Sequence, residues 1–128
     1  GNKKFNYSAV ESIIEEEKKN KKIIVQSKKT SRSFIHIIDI VKAINLSLEL
    51  KKKCILDIQG PNLVSLEKII NLSSNFLKKN VKIVETNKKN CSVRSINSNK
   101  SNKILDFKPD VSILKGIDLI LKKNEKRI

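Results

Sequence analysis

Segments with helical periodicity alternate with short β-branched segments along most of this chain. In the helical segments, apolar residues recur every three or four positions, whereas the short segments between them are runs of Ile and Val. No internal repeat is evident, and no Pro-, Gly- or Ser-rich linker divides the chain. The alternation is typical of an α/β fold, and 128 residues suffice for one domain with a hydrophobic core.

Short polar residues mark the starts of the predicted helices, where a side-chain oxygen can accept a hydrogen bond from a free backbone N–H group. Ser8 and Glu11 form a capping box, and the helix after them runs to about Lys19. The predicted longer helices begin at Ser8, Asp39, Ser65 and Ser112, and a shorter helix covers residues 97–105.

Short stretches with the composition of strands lie between these helices, at residues 23–25, 34–37, 54–58, 81–84 and 92–96. Residues 54–58 are apolar except for Asp57, which predicts a buried strand. A turn at Gln59-Gly60-Pro61-Asn62 ends this strand. We therefore expect helices packed on several short strands.

The sequence contains neither an apolar membrane span nor a signal peptide, and its cysteines do not suggest a metal site. No apolar run approaches the roughly 20 residues of a membrane span, and no signal peptide opens the chain. Methionine is absent even at position 1, so we expect the chain to be processed or excised from something longer. Cys54 and Cys91 lie far apart and His36 is the only histidine, which disfavours a zinc site and predicts two buried free thiols in a reducing cytoplasm.

Lysine carries almost all of the positive charge. The formal net charge is +15, and of the 28 Lys and Arg residues only Arg32, Arg94 and Arg127 are arginine. The lysines are scattered in twos and threes, and aromatic residues make up only 4% of the chain, so few side chains could stack on bases. We expect mostly a solvated lysine surface; a stand-alone basic module that binds nucleic acid or another polyanion is the alternative.

Arginine differs from lysine in offering a planar fork that holds a phosphate or carboxylate through two hydrogen bonds. Arg127 is next to last, and we expect it to be frayed. Arg32 and Arg94 lie in segments that we predict to be ordered, which makes them candidates for binding an anion. From spacing alone, ordinary surface roles remain open, with Arg32 opening a strand and Arg94 capping backbone carbonyls.

Three stretches, at residues 30–44, 55–66 and 97–116, resemble one protein family in order and spacing. The first reads Thr-Ser-Arg-Ser-Phe-Ile-His-Ile-Ile-Asp-Ile-Val-Lys-Ala-Ile, the second contains Ile-Gln-Gly-Pro-Asn-Leu-Val-Ser-Leu, and the third contains Leu-Asp-Phe-Lys-Pro-Asp-Val-Ser. They are similar to stretches of the extended short-chain dehydrogenase/reductases, which are NAD(P)-dependent sugar-nucleotide epimerases and dehydratases. The resemblance covers nearly the whole chain, from about Phe5 to Leu121.

The resemblance implies an α/β fold that forms the C-terminal, substrate-binding portion of such an enzyme, without the complete Rossmann sheet. Residues 1–128 would be a single substrate-binding domain or fragment, and the N-terminal dinucleotide-binding domain would be absent. The three glycines are not clustered as in a phosphate-binding turn, and Tyr7 is followed four residues later by Glu11 instead of a catalytic lysine. We expect this chain to bind no cofactor and to be inactive alone, whereas the full-length enzyme would use NAD or NADP.

The resemblance also implies a binding site. In the family, two arginines at the positions of Arg32 and Arg94 contact the diphosphate of the bound sugar nucleotide. We expect a structural role for His36 and a helix-capping role for Asp39, and no catalytic or metal-binding residue in this chain. The sequence departs from the family at residues 26–30, which replace a glycine-containing turn, and at Asp106, which replaces a glycine.

The expected function is therefore that of the sugar-nucleotide-binding portion of an NAD(P)-dependent epimerase or dehydratase, in which a hydride passes between sugar and cofactor. The expected partners are a nucleoside-diphosphate sugar, the missing Rossmann domain and a second copy of the full-length enzyme, without nucleic acid or membrane. The resemblance implies a cytoplasmic role in nucleotide-sugar or cell-surface polysaccharide biosynthesis. The alternative is the stand-alone basic module that binds nucleic acid or another polyanion.

Overall fold

Helices and short strands alternate along residues 8–125, the part of the chain that the computed structural model describes. Tyr7 and Arg127 lie outside these residues. The helices are α1 (Ala9–Lys19), α2 (Ile37–Ser47), α3 (Leu66–Leu77), α4 (Asn99–Leu105) and α5 (Ile113–Glu125). The strands are β1 (Lys22–Val25), β2 (Ser31–Arg32), β3 (Val64–Ser65), β4 (Lys82–Glu85) and β5 (Val93–Arg94). The predicted α/β class is confirmed.

Two small sheets hold the strands. In one, β1 and β4 are parallel, with Ile23 opposite Ile83. In the other, the order is β3-β2-β5, with β2 antiparallel to β3 and parallel to β5. Parallel neighbours need a long crossover, and here α2 and α3 lie in the connection between them.

The order helix–strand–strand–helix occurs twice, first from α1 to α2 and then from α3 to α4. Equivalent strands pair in parallel, β1 with β4 and β2 with β5. The turns inside the two units also match: the Thr30 N–H donates to Ser27 O at 3.2 Å, and the Asn90 N–H donates to Asn87 O at 3.0 Å. Each turn carries a Lys-Lys pair. The two units therefore repeat each other in structure, although the sequence shows no evident repeat.

The main hydrophobic core lies between α1, α3 and α5. Their inward faces contribute side chains that are fully buried: Ile14, Ile69, Ile70 and Ile117. The predicted caps are confirmed for the first and third helices, since Ser8 Oγ accepts from the Glu11 N–H at 3.3 Å and Ser65 Oγ accepts from the Lys68 N–H at 3.1 Å. Local capping and apolar spacing together set these helices.

A second, smaller cluster lies under α2 and α4. Ala43, Leu105 and Phe107 are its buried members. Half-buried side chains pack against it, namely Leu46, Leu50, Leu56 and Ile58. Neighbours of the candidate site belong to both clusters: Phe34, which follows β2, packs against the first, and Ile58, which precedes Gln59, packs against the second.

Two predicted strands are wrong. Residues 34–37 contain no strand; the strand in that region is Ser31–Arg32, and α2 already begins at Ile37. Residues 54–58 also form no strand, and Ile55 is 95% exposed instead of buried. Within residues 8–125, no strand lies beside residues 54–58, so their β propensity finds no pairing partner.

The thiols are also placed differently from the prediction. Cys54 and Cys91 are free, but both are exposed, because neither belongs to a core cluster: Cys54 begins the unpaired segment 54–58, and Cys91 precedes β5. Among residues 8–125, no group of three or more His, Cys, Asp or Glu side chains could hold a metal ion. In the same part of the chain, every helix is too short or too polar to cross a membrane.

Candidate functional site

The candidate site lies where β2 and β5 run side by side. Arg32 and Arg94 are directly opposite each other in this parallel pair. Neighbouring strands are about 4.8 Å apart, and paired residues project from the same face of a sheet. The two predicted arginines, which are 62 positions apart in the sequence, are therefore brought together.

Backbone contacts from the loops fix the register of this pair. The Ser31 N–H donates to Ser92 O at 2.9 Å, and the Ser92 N–H donates to Thr30 Oγ1 at 3.3 Å. These bonds join the segment before β2 to the segment before β5. Because they lie one and two residues ahead of the arginines, they hold Arg32 level with Arg94.

The Arg32 guanidinium is half-buried and partly occupied. Its Nη1 donates to Ser31 O and to Ser92 O, both at 2.8 Å. A guanidinium carries five N–H donors, and Nη1 accounts for two of them. The remaining three, on Nη2 and Nε, have no acceptor within residues 8–125. Backbone carbonyls thus hold Nη1 of the guanidinium group, and the N–H groups of Nη2 and Nε stay available for a ligand.

Arg94 is exposed, and within the described residues its guanidinium makes no hydrogen bond or ion pair. It borders a groove of about 480 Å³. The groove is lined by Arg32, Ser33, Gln59, Val93, Arg94, Ser95 and Ile96. No carboxylate is among them, so two guanidinium charges face the same open space without a protein counterion. Such an arrangement attracts an anion with several oxygens.

The Gln59 side chain joins the turn at residues 59–62 to the segment after β5, and both line the groove. Its Oε1 accepts from the Ile96 N–H at 3.0 Å and from Ser95 Oγ at 3.2 Å, and its Nε2 donates to Ile96 O at 2.6 Å. Three hydrogen bonds from one side chain hold the segment after β5 against the turn at Gln59. The sequence indicated a turn here and gave no signal for this contact, because the partner lies 37 residues away.

Gly60 allows the turn to approach β2 closely. Its N–H donates to Ser33 O at 3.1 Å, and a Cβ at this position would lie 1.7 Å from Phe34 O. No side chain fits in that space, so glycine is required for contact and not for an unusual backbone angle. The close approach fixes Gln59 beside Ser33, and both residues line the groove.

His36 and Asp39 lie away from the two arginines. His36 caps α2: its Nδ1 accepts from the Ile38 N–H at 3.1 Å, which gives it the predicted structural role. Asp39 is not the cap. It is fully buried inside α2, and its carboxylate accepts from the Asp110 and Val111 N–H groups at 2.9–3.1 Å. Because α2 begins at Ile37, His36 occupies the cap position and Asp39 is the third residue of the helix.

A more enclosed cavity of about 240 Å³ lies between α1, α2 and α5. It is mostly apolar, and Glu11 and His36 are the titratable side chains in its lining. The His36 Nδ1 is already used in capping α2. No Lys or Arg lines this cavity and the Glu11 carboxylate would repel a phosphate, so the groove at Arg32 and Arg94 is the stronger candidate for a binding site.

Comparisons with known proteins bear on the fold. No protein-family model matches the sequence, and no match is found among curated proteins. Solved structures do match. A UDP-glucose 4-epimerase from Thermotoga maritima, in a structure with UDP-glucose, has a TM-score of 0.78 at 18% identity over 94% of this chain and 40% of its own. The chain has the fold of the C-terminal part of such enzymes.

Two further structures agree. An ADP-L-glycero-D-manno-heptose-6-epimerase from Helicobacter pylori has a TM-score of 0.78 at 16% identity over 94% of this chain and 38% of its own. A UDP-glucuronic acid 4-epimerase variant from Bacillus cereus, in complex with UDP-4-deoxy-4-fluoro-glucuronic acid and NAD, has a TM-score of 0.73 at 21% identity over 86% of this chain and 37% of its own. The chain spans about two fifths of the length of these structures. The fold that the resemblance implies is confirmed.

Proposed function

We propose that this chain is the sugar-nucleotide-binding part of an NAD(P)-dependent epimerase or dehydratase. The observation that carries the proposal is the pairing of Arg32 with Arg94 across β2 and β5, in a groove without carboxylates. The solved structures with this fold include complexes with UDP-sugars and NAD, which supports the same ligand class here. Arg32 and Arg94 would hold the diphosphate, with Ser33 and Ser95 beside them.

The geometry suits a diphosphate for a physical reason. Two arginines whose backbones are one strand spacing apart bring like charges to the same groove, and an anion bound between them relieves their repulsion. A diphosphate presents oxygens in several directions, so each fork can take two of them. Held on one side by the backbone, Arg32 would lose little freedom on binding, and the exposed Arg94 would turn onto the ligand.

The residues of this chain do not fit the dinucleotide cofactor. Cofactor phosphates are bound by a glycine-rich turn at a helix N-terminus, where the backbone must approach the phosphates. Gly60 instead approaches the Phe34 backbone, and Gly116 lies inside α5, so neither offers an open cradle. We therefore assign NAD or NADP to another part of the full-length enzyme and derive no chemical step for this chain. Its contribution is to bind and orient the substrate.

We further propose that the full-length enzyme is a homodimer in the cytoplasm. There it would make nucleotide sugars, including those used for cell-surface polysaccharides. The support is the resemblance of residues 30–44, 55–66 and 97–116 to this enzyme family. Light scattering on the full-length enzyme measures the dimer directly.

Isothermal titration with UDP-glucose, GDP-mannose and a dTDP-sugar tests the site in the full-length protein. Arg32→Ala and Arg94→Ala should each weaken binding by about 1.5–3 kcal/mol, because each removes hydrogen bonds to a charged group. Lys29→Ala is the matched control: Lys29 is exposed and lies outside the groove, so affinity should stay within a factor of about two.

Unchanged affinity in both arginine variants would contradict the assignment of Arg32 and Arg94 to the diphosphate site. Binding of RNA or DNA with a steep salt dependence, and no binding of any nucleotide sugar, would favour the basic-module alternative instead. Within residues 8–125, Phe76 is the most exposed of the phenylalanines, at 40%, and it lies outside the groove, so the surface offers little for base stacking.

A further inference from the structure

The two Lys-Lys turns lie side by side, because the strands on both sides of them are paired. The first turn, residues 27–30, leads from β1 to β2, and the second, residues 87–90, leads from β4 to β5. Since β1 is parallel to β4 and β2 is parallel to β5, both turns lie at the same end of each strand pair. The structural repeat thus brings together lysines that are 60 positions apart in the sequence. They are Lys28, Lys29, Lys88 and Lys89.

Hydrogen bonds fasten the two turns to each other at both ends. At the end next to β1 and β4, the Asn87 N–H donates to Gln26 O at 2.9 Å, and Asn90 Nδ2 donates to Gln26 Oε1. At the end next to β2 and β5, the Ser92 N–H donates to Thr30 Oγ1 at 3.3 Å. The fold therefore fixes where the lysine backbones lie, even though like charges are brought close together there.

Positive charge exceeds negative charge on these paired turns. Of the four lysines, Lys28 is the one with an ion pair among residues 8–125, and its Nζ lies 3.2 Å from Glu67 Oε2. A second carboxylate, that of Glu85, accepts from the Lys28 backbone N–H at 3.1 Å. The remaining lysines are exposed, and within the same part of the chain they form no ion pair: Lys29, Lys88 and Lys89. We call these three the unpaired lysines.

The unpaired lysines lie close to the guanidinium group of Arg32. Its Nη1 donates to the carbonyl oxygens of Ser31 and Ser92, both at 2.8 Å. Lys29 lies two residues before Ser31, and Lys89 lies three residues before Ser92. Because a chain spans at most about 3.6 Å per residue, both lysine backbones lie within roughly 10 Å of these carbonyls. The Debye length is also about 10 Å at 0.1 M salt, so the lysine charges act on an anion that approaches Arg32.

A small anion suits this surface better than a macromolecule does. Sites for anionic lipid headgroups use clusters of about four to eight Lys or Arg residues, which exceeds the three unpaired lysines. Binding of single-stranded nucleic acid relies on aromatic side chains for stacking. The paired turns contain only Ser, Lys, Thr and Asn, so they offer charge and hydrogen bonds without a stacking surface.

We propose that the unpaired lysines form a capture surface for the nucleoside-diphosphate ligand. They attract the anion from a distance and guide it to the groove, where Arg32 and Arg94 bind it. Lysine suits the first task and arginine the second, because a flexible point charge acts at range, whereas a planar fork needs fixed geometry. This inference rests on the proposed function, since it takes a diphosphate as the ligand of the groove.

Stopped-flow fluorescence with mant-UDP, a fluorescent nucleoside diphosphate, tests the capture surface in the full-length protein. Replacing two unpaired lysines together, Lys88→Gln with Lys89→Gln, should lower the association rate constant about fivefold at 0.01 M salt. The dissociation rate constant should stay within about twofold, because charges at the rim of a site act mainly on encounter. At 0.5 M salt the association rate constants should agree within about 1.5-fold, because the charges are screened.

The matched control removes the same charge elsewhere. Lys51 and Lys52 are exposed, follow the C-terminal end of α2 and lie outside the groove. Replacing both with glutamine should change the association rate constant by less than about 1.5-fold at 0.01 M salt. Equal reductions in the two double variants would overturn the proposal, because net charge alone would then explain them. An unchanged rate in the Lys88 and Lys89 variant, or an effect confined to dissociation, would also overturn it.

The capture surface and the proposed function fail in different ways. Tight binding of mant-UDP that depends on Arg32 and Arg94, with association independent of the lysines, keeps the function and overturns the capture surface. Association that depends on the lysines, with unchanged affinity in Arg32→Ala and Arg94→Ala, keeps the capture surface and removes the groove as the diphosphate site. A full-length protein that does not bind mant-UDP at all overturns both.

Discussion

At the residue scale, Asp39 ties the segment before α5 to α2. Its buried carboxylate accepts from the Asp110 N–H at 3.1 Å and from the Val111 N–H at 2.9 Å. Hydrogen bonds to a charged acceptor are worth about 1.5–3 kcal/mol each, and removing the acceptor leaves buried donors unpaired. One side chain therefore holds together parts of the fold that are about 70 residues apart in the sequence.

Asp39→Asn should lower the free energy of unfolding by about 2–3 kcal/mol, because the amide is uncharged and turns an N–H group toward another N–H donor. Urea denaturation of the 1–128 chain measures the loss. Asp57→Asn is the control, since Asp57 is exposed and its carboxylate accepts no hydrogen bond within the described residues; it should change stability by less than about 0.5 kcal/mol. Similar midpoints for the two variants would refute the structural role of Asp39.

Glu17 is a buried carboxyl between α1 and α3. Burial raises its pKa from 4.5 to about 7, and the contact with Ser73 and the charge of Lys79 oppose part of that rise. Glu17 Oε1 lies 2.6 Å from Ser73 Oγ, whose single hydrogen can also reach Ile69 O at 2.8 Å. Ser73 Oγ can donate its hydrogen to Glu17 Oε1 or to Ile69 O. The other carboxyl oxygen, Oε2, is buried without a hydrogen-bond partner among the described residues, and this burial favours the neutral form.

The raised pKa gives a definite pH dependence. The folded state binds the Glu17 proton more tightly than the unfolded state does, so its stabilising effect is complete below about pH 4.5 and is lost as pH rises through about 7. The difference between pKa 4.5 and about 7 corresponds to about 3 kcal/mol. Glu17→Gln should therefore stabilise the chain by about 2–3 kcal/mol at pH 8 and by little at pH 4. Denaturation at several pH values checks this; parallel pH profiles for the two proteins would contradict it.

The residues of the site were predictable only in part. Arg32 and Arg94 stand out in a chain whose other positive charges are almost all lysine, and the resemblance assigns them a role. Their register depends on hydrogen bonds between Ser31 and Ser92, which no local pattern encodes. Gln59 was missed for the same reason. A comparison of the two Lys-Lys turns, each followed within a few residues by an arginine, is the sequence signal that could have indicated the parallel pairing.

At the element scale, the helices were predicted well and the strands less well. Ser8 and Ser65 accept hydrogen bonds from N–H groups three residues away, so a few neighbouring residues determine where a helix starts. A strand requires a partner from elsewhere in the chain. Residues 34–37 and 54–58 are rich in Ile and were therefore predicted as strands, yet neither has such a partner within residues 8–125. The tertiary context decides β structure more than propensity does.

Among residues 8–125, two helices end in a left-handed residue that is not glycine. Lys78 follows α3 with φ 54°, and Asp106 follows α4 with φ 50°. This conformation costs most residues about 1–2 kcal/mol, whereas Asp and Asn tolerate it better and glycine adopts it freely. Asp106 stands where the family usually has glycine, and its backbone angle explains why that position favours glycine. Lys78 carries the larger strain of the two.

Lys78→Gly should stabilise the chain by about 0.5–1 kcal/mol, because the relief of strain exceeds the entropy that glycine adds to the unfolded state. Asp106→Gly should give a smaller gain. Thermal and urea denaturation at pH 7 would rank the two variants. Destabilisation by Lys78→Gly, or a larger gain from Asp106→Gly, would show that the backbone angles are not the deciding factor.

At the scale of the whole molecule, the net charge of +15 acts against the folded state. Compact like charges repel each other, and salt screens that repulsion over a Debye length of about 10 Å at 0.1 M. Ion pairs such as Lys42–Asp110 lie exposed at the surface and compensate little of the charge. Salt should therefore stabilise the chain in general, and a multivalent anion should stabilise it further through the groove.

The two effects can be separated by comparing anions at equal ionic strength. Sodium chloride should raise the Tm of the 1–128 chain gradually through screening. Millimolar pyrophosphate should raise it by several degrees more, because an anion bound only by the folded state adds RT ln(1 + [L]/Kd) of stability. Arg94→Ala should lose the pyrophosphate increment and keep the chloride response, whereas Lys100→Ala, an exposed residue outside the groove, should keep both. If pyrophosphate acts no more strongly than chloride, or if Arg94→Ala responds like the unmodified chain, the groove is not a specific anion-binding site. An increment that depends on Arg94 alone would show that one placed guanidinium, level with Arg32, outweighs a surface of scattered lysines.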